Sequence, residues 1–365
     1  MLRHLHVALV FNLKKEADED PLDGEPDSSR GSDPLVAAPA PTKLLETRND
    51  TYAEWDTRET IEAVKAALEE YHRVTLIEAN EEAFELLRAT RPDIAFNMAE
   101  GLRGASREAQ VPSILEMLGI PYTGSDPVTL GICLDKVRAK EILSHYGVPT
   151  APFAVMRARE EIASLGFPLP AIVKPLHEGS SKGIYNSSVV QTQEELVAQV
   201  DQVLTSYDQP ALIEKFLTGR EFTVALLGNP PNVRVLPIIE TKFDALPPGV
   251  HPIYSYEAKW IWDQAENPID VHECPAHIDA QLRAGIEEVT RKAYTVLGCR
   301  DWCRIDVRLD EAGTPHILEL NPLPGILPNP TDHSCFPLAA RTGGLSYNAL
   351  LNEVVRIASE RYGLG

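Results

Sequence analysis

Apolar and polar positions along this chain follow two rhythms. Residues 5–12 (LHVALVFN), 74–79 (VTLIEA), 93–98 (DIAFNM), 171–175 (AIVKP), 211–216 (ALIEKF), 221–228 (EFTVALLG) and 233–240 are short runs rich in apolar and β-branched side chains, the pattern of buried strands. Between them, apolar residues recur at helical spacing. Over 57–70, Ile61, Val64, Ala67 and Leu68 share one face, with Thr57 placed to cap and Glu59 in the first turn. The same spacing predicts helices over 110–118, ending at Gly119, and over 133–146, 193–205 and 277–297. Strands alternating with helices give an α/β (α+β) fold class and argue against an all-α or all-β chain.

The rhythm breaks in two places. Residues 14–42 are crowded with acidic residues, proline, glycine and serine, the composition of a mobile surface insert. The stretch 245–265 is long for a structureless connection, so it is expected to cover a site. Three units are expected: an N-terminal βαβ-type domain over 1–124, a central α+β unit over 125–217, and a C-terminal unit over 218–365.

A formal net charge of −20 argues against a nucleic-acid or anionic-membrane partner, since both need a basic surface. No apolar run approaches the ~20 residues of a spanning helix. The five cysteines are scattered and complete no zinc pattern, so reduced thiols and a cytoplasmic setting are expected.

Candidate chemistry concentrates in CRIDVRLDEAGTPHILELNP (303–322), two alternating runs around a turn sequence. Period-two alternation puts Arg304 and Asp306 on one face of the first strand, and Glu319 and Asn321 on one face of the second. A hairpin then converges two carboxylates and an amide oxygen, ligands suited to Mg²⁺ shared with substrate phosphates. The same spacing also fits a solvated, acidic strand face. HEGSSKG (177–183) follows a strand, and its small residues let backbone N–H groups approach an anion, with Lys174 at the strand end. A plain turn fits equally well. Glu214 and Glu221 in LIEKFLTGREF (212–222) suit an adenine and a ribose, or an ordinary strand–turn–strand. The histidines form no metal-ligand pattern, no GxSxG elbow is present, and Cys299 and Cys303 read as packing residues.

Taken in order, the chain resembles the ATP-grasp superfamily, and most closely its D-alanine–D-alanine ligase branch. The resemblance spans about 94 to 355 and rests on GIPYTGSDPVTLGICLDKVRAK (119–140), IVKPLHEGSSKG (172–183), IEKFLTGREFTV (213–224), YSYEAKW (254–260), WCRIDVRLD (302–310), LELNPLPG (318–325) and HSCFPLAARTGGLSY (333–347). It implies a three-domain ATP-grasp fold with an N-terminal βαβ domain, and an ATP-dependent carboxylate–amine ligase working through an acyl phosphate. Lys136 and Lys174 would contact the ATP phosphates, under a loop containing Gly179, Ser180 and Ser181, with Ser180 near the first substrate. Glu214, Lys215, Phe216 and Leu217 would frame the adenine and Glu221 the ribose. Asp306, Glu319 and Asn321 would bind two Mg²⁺ ions, or Mn²⁺. Arg304 and the Gly325 N–H would stabilise the oxyanion, while Lys259, Trp260 and Ser334 would meet the second substrate. Small amino-acid-like substrates and a homodimer are also implied.

The departures spare the nucleotide and metal positions. The family's N-terminal GG-x-S-x-E segment, whose glutamate orients the first D-alanine, is missing. Its His-Gly pair is replaced by Ala99-Glu100-Gly101, Trp260 stands where tyrosine is common, and the segment after Gly325 is longer. Glu16, Glu54 and Glu100 are candidates to replace the missing carboxylate. Nucleotide and metal positions are kept while donor positions are not, which predicts the same reaction on a changed substrate. A D-alanine–D-alanine ligase and a catalytically silent nucleotide-binding regulator are the competing expectations.

Overall fold

The computed structural model describes residues 4–14, 54–101, 103–164, 166–259, 271–332 and 334–364. The expected insert at 14–42 lies, except for Lys14, outside the described residues.

The first sheet holds β1 (His6–Phe11), β2 (Arg73–Glu78) and β3 (Ile94–Asn97), all parallel in the order β2-β1-β3. Parallel neighbours need crossovers, and α1 (Arg58–Glu69) and α2 (Ala83–Thr90) supply them. Thr57 caps α1 by accepting the Thr60 N–H at 3.3 Å, and Ile61, Val64, Ala67 and Leu68 are the face it buries. The chain continues through α3 (Gln110–Leu118), ending at Gly119 with φ +66°, then α4 (Pro127–Leu134) and α5 (Lys136–His145).

The helix expected over 133–146 is α5, which starts at Lys136, and the separate helix α4 that ends at Leu134 just before it has a visible cause. Asp135 ends α4 and caps α5, its carboxylate accepting the N–H groups of Val137 and Arg138 at 3.1 and 3.0 Å. Asp126-Pro127 is the start signal that the apolar pattern alone passes over, with Asp126 accepting the Thr129 N–H at 2.9 Å. Cys133, Ala139 and Leu143 of this pair pack into the core beneath the largest sheet, although the expected middle unit begins at 125.

The middle sheet contains β4 (Phe153–Met156), β5 (Ala171–Pro175), β6 (Val189–Val190) and β7 (Ala211–Lys215) in the order β4-β7-β5-β6. It is covered by α6 (Gln193–Tyr207), which opens with a Thr192/Glu195 capping box. The largest sheet joins β8 (Glu221–Leu227), β9 (Arg234–Val235), β10 (Ile239–Thr241), β11 (His272–Glu273), β12 (Trp302–Leu309) and β13 (Pro315–Asn321). Its order is β11-β10-β8-β12-β13, with β9 on β8, and α7 (Ala280–Val296) fills one face. Two C-terminal helices, α8 (Cys335–Thr342) and α9 (Tyr347–Arg361), return between this sheet and the first. There Trp302 stacks edge-on between Phe96 and Phe336, at 5.6 and 5.5 Å.

Buried Asp301 fastens the C-terminal helix to the rest. It pairs with Arg361 at 2.6 Å, accepts the Gly124 N–H at 2.8 Å, and Arg361 also donates to the carbonyl of Tyr122. Cys133, Cys299 and Cys303 are buried free thiols in the large core, with burial among the causes that push each thiol up. Packing is their role. Among the described residues, no helix is long and apolar enough to cross a membrane.

Candidate active site

The hairpin β12–β13 places Arg304 opposite Asn321 and Asp306 opposite Glu319. Between Asp306 and Val307 the register shifts, because Glu319 and Ile317 oppose consecutive residues of β12. Leu318 is thereby extra, and this bulge lets adjacent Leu318 and Glu319 both line one cavity of about 630 Å³. Arg304 donates to Asp306 at 3.0 Å and lies 3.6 Å from Glu319, while the Asn321 amide is 3.4 Å from both carboxylates. Thr223 donates to the other Asp306 oxygen at 2.8 Å. Burial raises the Asp306 carboxyl. Burial alone would raise Glu319 too, but Lys136, Lys174 and Arg304 outweigh it and hold the carboxyl down at about 2.

At the apolar end of the cavity lie Ile172, Ile184, Phe216, Leu217 and Ile253. Glu214 is almost wholly buried and ion-paired with both Lys140 and Lys174. Burial works against its ionisation, and the two lysines overcome this, bringing its carboxyl down to about 2. Glu221 pairs with Arg308 at 2.8 Å, and that guanidinium lies 4.9 Å over the Phe216 ring. The N–H groups of Lys215 and Phe216 are engaged by the carbonyls of Pro152 and Pro170, at 2.9 and 3.0 Å. Those N–H groups are therefore occupied by the fold. Lys140 and Arg308 were not singled out from sequence, yet Arg308 was within reach of it. Arg304, Asp306 and Arg308 alternate on one strand face.

The loop 177–184 closes the cavity under constraint. Ser180 and Ser181 are consecutive non-glycine residues in the left-handed region, φ +50° and +62°, a conformation that persists only where its surroundings enforce it. They do. Ser181 donates to the Tyr254 carbonyl at 2.9 Å, Lys136 donates to the Glu178 carbonyl at 2.5 Å, and the Gly179 N–H donates to Glu54 at 3.0 Å. Arg107 reaches Glu54 at 2.8 Å and Glu178 at 3.8 Å, and Lys182 pairs with Glu178 at 2.7 Å. Of the carboxylates expected to replace the missing one, Glu54 and Glu100 lie here, and Glu16 lies outside the described residues.

A second, smaller cavity of about 110 Å³ adjoins the first, and Glu54, Ser180, Lys259, Arg304, Glu319 and Gly325 line both. Lys136, Glu100 and Glu108 line the smaller one only. Gly101 makes this convergence possible. At φ +72°, a Cβ there would stand 2.7 Å from the Arg107 carbonyl oxygen, so only glycine allows the chain to fold Glu100 back beside Glu108. Burial, then the neighbouring charge of Glu108, raises the Glu100 carboxyl well above its usual range, and burial raises Glu108 to about 7.

Burial lowers the Lys259 ammonium to about 8, with Arg304 adding to the effect. Ser334 donates to the Gly325 carbonyl at 3.0 Å and accepts the Leu327 N–H, so it props the segment carrying Gly325 and also faces the cavity. Ile253, Tyr254 and Lys259, from the expected covering loop, are lining residues. Trp260 lies outside the described residues. The carboxylate pair and amide of the hairpin match oxygen-preferring divalent cations in chemistry.

A family model described as D-ala D-ala ligase C-terminus matches residues 142–356. Among known proteins, the uncharacterized protein y4sG of Sinorhizobium fredii is 38% identical over 320 residues, covering 84% of this chain and 90% of its own. A D-alanine–D-alanine ligase of Desulforudis audaxviator is 34% identical over 306 residues, covering 82% of this chain and 92% of its own. A crystal structure of D-alanine–D-alanine ligase from Bacillus anthracis complexed with ATP is similar with a TM-score of 0.64 at 21% identity, covering 99% of this chain and 100% of that one. That last likeness shows the fold, the three-domain ATP-grasp arrangement.

Proposed function

This chain belongs to the D-alanine–D-alanine ligase family and is an ATP-dependent ligase of the ATP-grasp type, and we propose that it forms a peptide or amide bond on an amino-acid-like acyl donor other than D-alanine. The observation that carries this reading is the contrast within one pair of joined cavities. The cations and hairpin carboxylates suited to ATP are assembled, whereas the donor end is rebuilt around Glu54, Glu100 and Glu108.

In this reading a donor carboxylate oxygen attacks the γ-phosphorus of ATP, the bond to the ADP oxygen breaks, and an acyl phosphate forms. The nitrogen lone pair of an amine then attacks the acyl carbon, the bond to phosphate breaks, and the amine loses a proton. Lys136 and Lys174 hold the phosphates, and Glu221 takes the ribose hydroxyls. Glu214 sits beside the adenine, flanked by Lys215, Phe216 and Leu217, and keeps Lys174 in place. Asp306, Glu319 and Asn321 would hold two Mg²⁺ ions, or Mn²⁺, which when bound neutralise charge on the transferring phosphoryl group. Arg304 and the Gly325 N–H face the developing oxyanion, and Lys259, Trp260 and Ser334 receive the second substrate's carboxylate. The loop of Gly179, Ser180 and Ser181 excludes water, which would otherwise hydrolyse the acyl phosphate. A cytoplasmic homodimer acting on small molecules completes the proposal.

A phosphate-release screen over D- and L-amino acids, hydroxy acids and small peptides tests it. Strong release is expected with a donor other than D-alanine, and weak release with D-alanine alone. Identity of 34% to a D-alanine–D-alanine ligase keeps that activity as the second reading. Saturation by millimolar D-alanine with turnover of about one per second or faster would put it first. Absence of ATP consumption with every donor and acceptor tried would leave only a nucleotide-binding regulator.

A further inference from the structure

We propose that the acyl donor is an amino acid whose side chain carries a second basic nitrogen, and that Glu100 and Glu108 receive that nitrogen as an ammonium. The inference rests on the ligase reading and names its substrate class.

Glu108 is only 8% exposed and lines the smaller cavity. Among the described residues, neither its side chain nor that of the partly buried Glu100 makes a hydrogen bond or an ion pair. A buried carboxylate without a partner is costly, and two together repel each other besides. The nearby cations relieve them only in part, because Arg107 and Lys136 act on them through space while burial outweighs both and each cation is also engaged elsewhere. Arg107 is shared by Glu54, Glu178 and the carbonyl of His177. Lys182 is held by Glu178. Lys136 donates to the Glu178 carbonyl and lies 3.7 Å from Glu319, and in the proposed mechanism it turns to the ATP phosphates. Nucleotide binding thus leaves the two acids with still less positive charge around them.

The missing charge belongs to the donor. Its carboxylate must lie by Arg304 and Gly325, and both line the same small cavity as the two acids. An α-ammonium has Glu54 in that cavity to meet it. Glu100 and Glu108 remain, held side by side by the tight turn at Gly101, and one ammonium between them satisfies both. A volume of about 110 Å³ suits a short alkyl ammonium better than a planar guanidinium.

The test compares donors of equal length with and without the second nitrogen. Phosphate release is measured for diaminopropionate, diaminobutyrate, ornithine and lysine against alanine, aminobutyrate, norvaline and norleucine, in both configurations, with a panel of amine acceptors. A charge-assisted contact predicts kcat/KM about tenfold to a hundredfold higher for at least one diamino acid than for its neutral partner. Glu100→Gln and Glu108→Gln should each reduce that preference toward unity, with calorimetric ATP binding as the check that the variants are folded. Equal or better turnover of the neutral series by the unaltered protein overturns the proposal even if neither variant folds, and so does a preference that survives both substitutions. Those results leave the ligase reading standing. Absence of phosphate release with every donor tried removes the ligase reading and this inference with it.

Discussion

The two ends of the joined cavities treat their acids differently. At the nucleotide end each carboxylate has its cation. Glu214 is paired with Lys140 and Lys174, Glu221 with Arg308, and Asp306 with Arg304. At the donor end Glu54 is paired with Arg107, but the side chains of Glu100 and Glu108 line the cavity with neither an ion pair nor a hydrogen bond among the described residues. A buried charge is tolerated when geometry satisfies it, and removing one partner is strongly destabilising. The difference therefore separates a region completed by the chain from one that a ligand must complete. The first is legible as inherited nucleotide chemistry, and the second as specificity.

The hardest blow to this picture would come at the hairpin. Glu319→Ala removes a proposed metal-bridging carboxylate from a polar cavity, not from the core, and should lower turnover by about a thousandfold or more, some 4 kcal/mol, with little change in unfolding midpoint. Near-normal turnover at saturating Mg²⁺ would end the metal assignment. Next is the internal balance of the nucleotide end. Lys140→Met leaves Glu214 with one lysine and should cost about 3 kcal/mol of stability by urea unfolding. A loss below about 1 kcal/mol would show that Lys174 alone suffices.

The pH dependence of stability sharpens the contrast, because the two acids are shifted in opposite directions. Glu214 is depressed from 4.5 to about 2, so its contribution is complete above pH 4.5 and is lost as the pH falls toward 2. Glu108 is raised from 4.5 to about 7, so the folded state holds its proton more tightly and stability falls as the pH rises across that window. Glu108→Gln should abolish that fall, narrowing the difference in unfolding free energy between about pH 5 and about pH 8 by on the order of 2 kcal/mol. An unchanged profile would mean that the site already supplies a counter-charge. The smallest effect is expected at the ribose. Glu221→Gln should raise KM for ATP about tenfold, near 1.5 kcal/mol, and leave donor preference untouched. Steady-state kinetics with two donors would separate those quantities.

Much of the architecture was readable beforehand because local rules decide it. The Thr57 cap, the end of α3 at Gly119 and the hairpin register pairing Asp306 with Glu319 all follow from neighbours in sequence. The break at Asp135 escaped because the apolar rhythm runs through it, and only the capping geometry divides the helices. Lys140 escaped for another reason. On a helix it looks like any solvated lysine, and nothing local announces that Glu214, from a different sheet, will bury it.

By itself the sequence determined the alternation of strands and helices, the hairpin that carries its acids on one face, and the order of motifs that marks the family. These depend on side-chain periodicity and turn chemistry, which act over a few residues. The tertiary structure decided which charges meet. Residues as distant as Glu54, Arg107 and Glu178 form one clamp, and Glu100 and Glu108 are brought beside Arg304 without partners of their own. Burial and electrostatic pairing depend on distances in space, and those exist only once the three sheets have packed together.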